Sequence, residues 1–130
     1  MSAVRLFVYG SLRRDALGRS HPLLADATCL GAATVRGALY QIDWYPGLVL
    51  DPQSGAVRGD LFELPPARAE AMIAALDDYE GGVYQRRLAT AQVEGGEALE
   101  TWVYAYTGVV QGFATIPSGD FGTPVHRARP

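Results

Sequence analysis

The sequence predicts an α+β fold, in which a mostly β sheet or small barrel carries one or two packed helices. Short apolar segments separated by turn residues fill the N-terminal half. A single helical pattern follows Pro65-Pro66, and two longer strands closed by a glycine-rich turn come next. The chain has 130 residues, 48% hydrophobic and 19% charged, which suits one globular domain with its own core.

The N-terminal half is expected to form a β-meander or a barrel wall. Residues Arg5–Tyr9 make a first strand that ends at Gly10. The loop Asp15–Ala25 follows, with a short helix around Pro22–Leu24. Four further strands are predicted at Cys29–Val35, Ala38–Ile42, Leu48–Leu50 and Val57–Leu64, separated by Gly37, Tyr45–Gly47 and Pro52–Gly55.

One helix and one hairpin complete the predicted domain. The helix opens at Pro65-Pro66, because proline is tolerated in a first helical turn, and ends at Gly81-Gly82. The hairpin pairs Tyr84–Val93 with Leu99–Tyr106. The apolar residues that support these elements are Met72, Ile73, Leu76 and Tyr79 at helical spacing, and Trp102, Tyr104 and Tyr106 on one face of the second strand.

The rest of the chain, from Thr107, is rich in glycine and proline and is expected to wrap irregularly over the domain. Residues 1–122 are predicted to form the domain and residues 123–130 a flexible tail. No linker, repeat or second domain is indicated.

Composition excludes several function classes. A net charge of −3, from 11 basic and 14 acidic residues, argues against a general nucleic-acid binder. The pairs Arg13-Arg14 and Arg86-Arg87 are assigned to solubility or to local attraction of an anion. No apolar run is long enough to span a bilayer, and the N-terminus does not resemble a signal peptide. The single Cys29 cannot form an internal disulfide, so cytoplasm is the expected compartment.

The sequence indicates no cofactor or metal. His21 and His126 lie far apart in sequence, and with one cysteine they make no recognisable ligand cluster. A Ser11, His21 and Asp26 triad is not supported, because the residues around Ser11 do not form the Gly-x-Ser-x-Gly elbow.

The loop after the first strand is a candidate anion site. Gly10 permits a sharp turn, and successive N–H groups of Gly10, Ser11 and Leu12 can form a nest for an anion such as a carboxylate. Ser11 adds a hydroxyl donor. An ordinary strand-to-loop turn explains the same residues about equally well, because such turns are common.

Glu80 is the candidate acid/base. Together with Asp77 and Asp78 it crowds the C-terminal end of the helix, where the helix dipole disfavours negative charge. Neighbouring acids and a negative helix end raise a carboxyl pKa, which suits a base that must later act as an acid. The alternative is a solvated acid, the commoner fate of a surface glutamate.

Taken together, these motifs resemble the gamma-glutamylcyclotransferase-like family over about residues 4–121. The order and spacing of the motifs make the resemblance specific, although each motif alone would be weak. The matching segments are Phe7–Arg13, Tyr45–Gly47, Val57–Phe62, Leu76–Gly81, Tyr84–Arg86, Trp102–Tyr104 and Ser118–Phe121.

The resemblance implies a small mixed β-barrel with flanking helices, and an intramolecular reaction. In that reaction the free α-amine of a gamma-glutamyl group attacks its own side-chain carbonyl, and 5-oxoproline forms as an amine or amino acid leaves. No cofactor or metal is implied. The partner is a small molecule with a gamma-glutamyl group, and the chain is expected to be a monomer or homodimer. The compact chain looks nearer the gamma-glutamylamine branch of the family.

By motif, the resemblance implies that Glu80 is the general acid/base and that the loop Tyr9, Gly10, Ser11 and Leu12 holds the substrate. Tyr84 and Tyr106 are further candidate substrate-binding residues. Two alternatives stay open: a non-catalytic module that binds a gamma-glutamyl or carboxylate ligand, and a different cyclisation or amide-transfer reaction in the same pocket.

Overall fold

A computed structural model describes residues 3–124 and 126 of the chain. Six strands, one α-helix and one short 3-10 helix make up the regular structure. The strands are β1 (Val4–Val8), β2 (Thr28–Gln41), β3 (Pro46–Leu50), β4 (Ala56–Leu64), β5 (Tyr84–Val93) and β6 (Ala98–Tyr106), and the helices are α1 (Ala69–Glu80) and the 3-10 turn Pro22–Leu24.

Five of the strands close into a barrel. Their order is β2-β4-β1-β6-β5, and β5 pairs back onto β2 through Val93 opposite Ala33. The pair β1–β6 is parallel and the other pairs are antiparallel, so the barrel is mixed. The short β3 pairs with β2 alone. The predicted α+β fold with a small mixed β-barrel and a flanking helix is confirmed.

Successive side chains of β1 point to opposite faces and belong to two separate core clusters. Phe7 belongs to a buried cluster with residues from all six strands. Leu6 and Val8, which point to the opposite face, join a second cluster with Met72 and Leu76 of α1. Helix α1 therefore packs on the outside of the barrel wall, and its C-terminal end lies beside the end of β1.

Two boundary predictions were wrong. Gly37 does not interrupt the chain, because β2 runs through it without a break. A Cβ atom at Gly37 would lie 2.6 Å from the carbonyl oxygen of Val49, so glycine is needed there for close strand contact rather than for a turn. The α-helix begins at Ala69, and Pro65-Pro66 lie in the turn before it.

The segment after β6 wraps over the barrel as expected. Thr115 bridges to Tyr40 of β2, and the carbonyl of Gly119 accepts a hydrogen bond of 2.7 Å from the N–H of Arg58 on β4. Most of the predicted tail, at 125 and 127–130, lies outside the described residues. Among the residues that are described, no helix is long and apolar enough to cross a membrane.

Candidate functional site

A cavity of about 270 Å³ opens where the end of β1 meets the end of α1. Five parts of the chain line it, and each of them contains or adjoins a segment on which the family resemblance rests. They are residues 7–12, the turn 44–46, Tyr79 and Glu80 of α1, Val83 and Tyr84, and Tyr104 of β6. The loop and the glutamate predicted from opposite parts of the sequence thus line one cavity.

The loop 10–12 presents backbone N–H groups. The N–H of Arg13 closes the turn by donating to the carbonyl of Gly10 at 3.0 Å. Within the part of the chain that the structure describes, the N–H groups of Gly10, Ser11 and Leu12 have no protein acceptor. A Cβ atom at Gly10 would lie 3.1 Å from Cγ of Pro46, so glycine lets the loop approach the β2–β3 turn closely.

A buried carboxylate on β4 binds the residues that follow this loop. Asp60 of β4 is 3% exposed and accepts a hydrogen bond of 2.9 Å from the N–H of Arg14. Its oxygens also lie 3.6 Å from Nε of Arg13 and 3.6 Å from Nη2 of Arg14. Arg13 is itself buried and pairs with Asp120 at 3.1 Å. Solubility, one of the two roles expected for this pair, was therefore wrong, since both arginines lie against Asp60 and fix the loop to the barrel. Attraction of an anion stays a prediction.

Glu80 is the last residue of α1, which ends because Gly81 follows with a φ of 77°. The side chain is largely buried at the cavity wall, and burial raises the pKa of its carboxyl from 4.5 to about 7. The prediction of a raised pKa is confirmed in direction, but neighbouring acids are not its source.

Asp77 shows why the neighbouring acids have no such effect. Nε and Nη2 of Arg86 donate to its two oxygens at 3.0 and 3.2 Å, and the hydroxyl of Tyr104 donates to it at 2.7 Å. These hydrogen bonds, that from Arg86 most of all, lower the pKa of Asp77. Two carboxyl groups three residues apart are thereby driven in opposite directions.

Tyrosines form the walls around Glu80. The hydroxyl of Tyr9 donates to the carbonyl of Tyr104, and that of Tyr84 donates to the carbonyl of Pro46, both at 2.6 Å. Burial raises the pKa of Tyr9, Tyr84 and Tyr104, and the charge of Glu80 adds to the rise in each case. These phenols are therefore neutral, and their protons are engaged by protein acceptors rather than by Glu80.

Tyr106, a predicted substrate-binding residue, does not reach the cavity lining. The ring centroids of Tyr106 and Tyr84 lie 5.7 Å apart. Tyr106 also lies close to Gly47, where an added Cβ atom would be 2.9 Å from the Tyr106 ring. Tyr104 is the phenol of the β6 stripe that lines the cavity. Period-2 alternation placed both on one face, but it could not tell which end of the strand faces the cavity.

Ser11 connects the loop to a small aromatic cluster. Its hydroxyl lies 2.9 Å from that of Tyr79, whose ring meets His21 at 5.2 Å. His126 lies 5.4 Å from His21, so the two histidines meet although they are distant in sequence. Within the described residues, no three His, Cys, Asp or Glu side chains are grouped so that they could hold a metal ion.

Comparison with known proteins gives one family. The family model described as gamma-glutamyl cyclotransferase, AIG2-like, matches residues 6–123. The gamma-glutamylcyclotransferase family protein YtfP of Escherichia coli K12 is 37% identical over 121 residues, which is 91% of this chain and 96% of that protein.

Solved structures agree. The solution structure of YtfP from Escherichia coli has a TM-score of 0.60 at 36% identity and covers 91% of this chain and 96% of its own. An AIG2-like protein from mouse has a TM-score of 0.71 at 23% identity, and the match covers 99% of this chain and 100% of the mouse chain. At this identity the match supports the fold alone. The chain therefore belongs to the AIG2-like gamma-glutamylcyclotransferase family.

Proposed function

We propose that the protein releases 5-oxoproline from a small gamma-glutamyl amine or amino acid, with Glu80 as the general acid/base. One observation carries the proposal: a largely buried carboxyl with a pKa of about 7 lines the same cavity as residues 10–12, whose N–H groups have no acceptor among the described residues. A pKa near the working pH lets one group accept a proton and return it.

The loop amides are suited to the α-carboxylate of the substrate. Hydrogen bonds from N–H groups to a carboxylate are charge-assisted and therefore strong. Because Asp60 fixes the loop through Arg14, the donors are in place before the substrate arrives. Held at its carboxylate, a gamma-glutamyl group can fold back so that its α-amine approaches its side-chain carbonyl.

Glu80 then moves two protons in turn. The ionised carboxyl takes one proton from the α-ammonium, and the neutral amine attacks the side-chain carbonyl carbon. The protonated carboxyl passes its proton to the leaving nitrogen, and the old C–N bond breaks. The ring nitrogen gives its second proton to the carboxylate, which passes it to the released amine. The products are 5-oxoproline and the amine as its ammonium ion, and Glu80 is ionised again. An intramolecular attack already has a large entropic advantage, so one proton carrier is sufficient.

The test is 5-oxoproline release from a panel of gamma-glutamyl amides by the wild type, Glu80→Gln and Glu97→Gln. Glu97 is an exposed glutamate in the β5–β6 turn and serves as the matched control. We expect Glu80→Gln to lower kcat by about 10²- to 10⁴-fold, the usual contribution of a general acid/base, and Glu97→Gln to leave it unchanged. Wild-type activity that survives in Glu80→Gln would remove the assigned role.

A non-catalytic binding module remains the second candidate, because free amides alone can hold a carboxylate ligand. It predicts that a gamma-glutamyl amide raises the melting temperature while no 5-oxoproline forms. Thermal shift and product assay on the same samples separate the two functions.

A further inference from the structure

The mouth of the cavity differs in chemistry from its floor. The floor is buried: Tyr9 is 6% exposed, Leu12 2% and Tyr104 4%. The mouth, here called the rim, consists of Trp44, Tyr45, Tyr79 and Val83. Trp44 is 74% exposed, and Tyr79 and Val83 are more than two-fifths exposed. Exposed apolar groups collected at a cavity mouth indicate a binding surface.

The aromatic rings of the rim contact one another and Tyr84. The ring of Trp44 meets that of Tyr45 edge-on at 5.2 Å, and Tyr45 lies 6.3 Å from Tyr84 inside the cavity. Aromatic contacts of this kind favour one ring orientation, which lowers the cost of ordering Trp44 when a ligand packs on it.

The charges around the cavity decide which ligands suit the rim. Of the described residues that line it, none is basic, and Glu80 is the one carboxyl. The nearby guanidinium groups are engaged elsewhere, Arg13 by Asp60 and Asp120, and Arg86 by Asp77. A ligand carboxylate at the mouth would therefore find no counter-ion and would be repelled by ionised Glu80.

We infer that the rim is the subsite for the leaving group, and that it selects an amine with an aromatic or apolar body and no carboxylate over an amino acid. The inference rests on the proposed function for one step: the loop amides and Glu80 occupy the carboxylate and amine of the glutamyl group. The atoms beyond the scissile C–N bond must then extend toward the mouth. Trp44 is accordingly a specificity-determining residue.

The experiment compares three gamma-glutamyl compounds that differ in the leaving group. The phenethylamide is neutral and aromatic, the phenylalanine dipeptide adds one carboxylate, and the 5-aminopentylamide carries a cation. Each is assayed for 5-oxoproline release and for binding by calorimetry. The proteins are the wild type, Trp44→Ala, Trp44→Phe and Leu17→Ala, the last as a matched control because Leu17 is 78% exposed and lies outside the cavity.

We expect the wild type to prefer the phenethylamide over the dipeptide by at least about tenfold in kcat/KM. Trp44→Ala should raise KM for the phenethylamide by about 3- to 10-fold, the value of an aromatic contact, with kcat little changed. Trp44→Phe should restore most of the loss, and Leu17→Ala should behave as the wild type.

Two results would overturn the inference while leaving the proposed function standing. One is 5-oxoproline release from the dipeptide at least as efficient as from the phenethylamide. The other is an unchanged preference in Trp44→Ala. If none of the compounds gives 5-oxoproline, the proposed function fails, and calorimetry still decides on the rim: equal affinity for all three compounds refutes it, and a Trp44-dependent preference for the phenethylamide supports it.

Discussion

Replacing Glu80 with glutamine should make the protein more stable, and the gain should depend on pH. The carboxyl is largely buried, and burial alone raises its pKa from 4.5 to about 7. An ionised carboxylate at this position is therefore held at a cost to folding. Glutamine keeps the size of the side chain and removes its charge.

The magnitude follows from linkage. Between pH 4.5 and 7 the folded protein binds more protons at Glu80 than the unfolded chain does, so the free energy of unfolding falls as the pH rises through this range. Each pKa unit corresponds to about 1.36 kcal/mol, so a pKa of about 7 in place of 4.5 corresponds to about 3 kcal/mol. The contribution of protonated Glu80 to the free energy of unfolding is fully present below pH 4.5 and is lost above about pH 8.

Urea unfolding at pH 5, 6, 7 and 8, followed by tryptophan fluorescence, measures the effect. Glu80→Gln should be more stable than the wild type by up to about 3 kcal/mol at pH 8, and by much less at pH 5. Glu97→Gln, in the exposed turn, controls for the loss of one negative charge. A Glu80→Gln protein that is no more stable at pH 8, or a gain that is the same at every pH, would refute the reasoning.

Three other substitutions test the framework of the site. Asp60→Asn should raise KM by about tenfold with a smaller change in kcat in steady-state kinetics. The substitution removes the carboxylate that accepts the Arg14 N–H and forms an ion pair with the Arg14 guanidinium, so the loop is held less firmly. Tyr9→Phe should lower the free energy of unfolding by about 1–3 kcal/mol in urea, since its hydroxyl satisfies two buried backbone groups. Gly119→Ala should lower the melting temperature, because its Cβ atom would lie 2.0 Å from the carbonyl oxygen of Ala56 at a φ of 71°.

Much of the fold could be predicted from local pattern. The hairpin β5–β6 and the end of α1 at Gly81 followed from period-2 alternation and from glycine at the helix end. Closure of the barrel was implied by the family resemblance but could not be predicted from local pattern, because it depends on the pairing of β5 with β2, about sixty residues apart in sequence. Gly37 was misjudged for a related reason: a glycine that permits close strand contact is indistinguishable in sequence from one that makes a turn.

The site was predicted where a motif marks it and missed where only tertiary contact does. Turn chemistry and charge crowding indicated residues 10–12 and Glu80 as candidates, and the structure places both at one cavity. Asp60 was missed, because a lone aspartate in a strand pattern does not reveal that the loop after β1 will fold onto it. The same limit applies to Trp44, whose position at the cavity mouth depends on how the β2–β3 turn approaches the loop.

The most direct test of the role of Glu80 is the pH dependence of kcat/KM for 5-oxoproline release, measured on the wild type and Glu80→Gln. The ionised carboxyl must accept the first proton, so kcat/KM of the wild type should rise with pH about a midpoint near 7. Titration of the substrate is common to both proteins, so the comparison isolates Glu80. Glu80→Gln should be about 10²- to 10⁴-fold slower and lack this rise. A midpoint near 4.5 in the wild type, or the same profile in both proteins, would contradict the account.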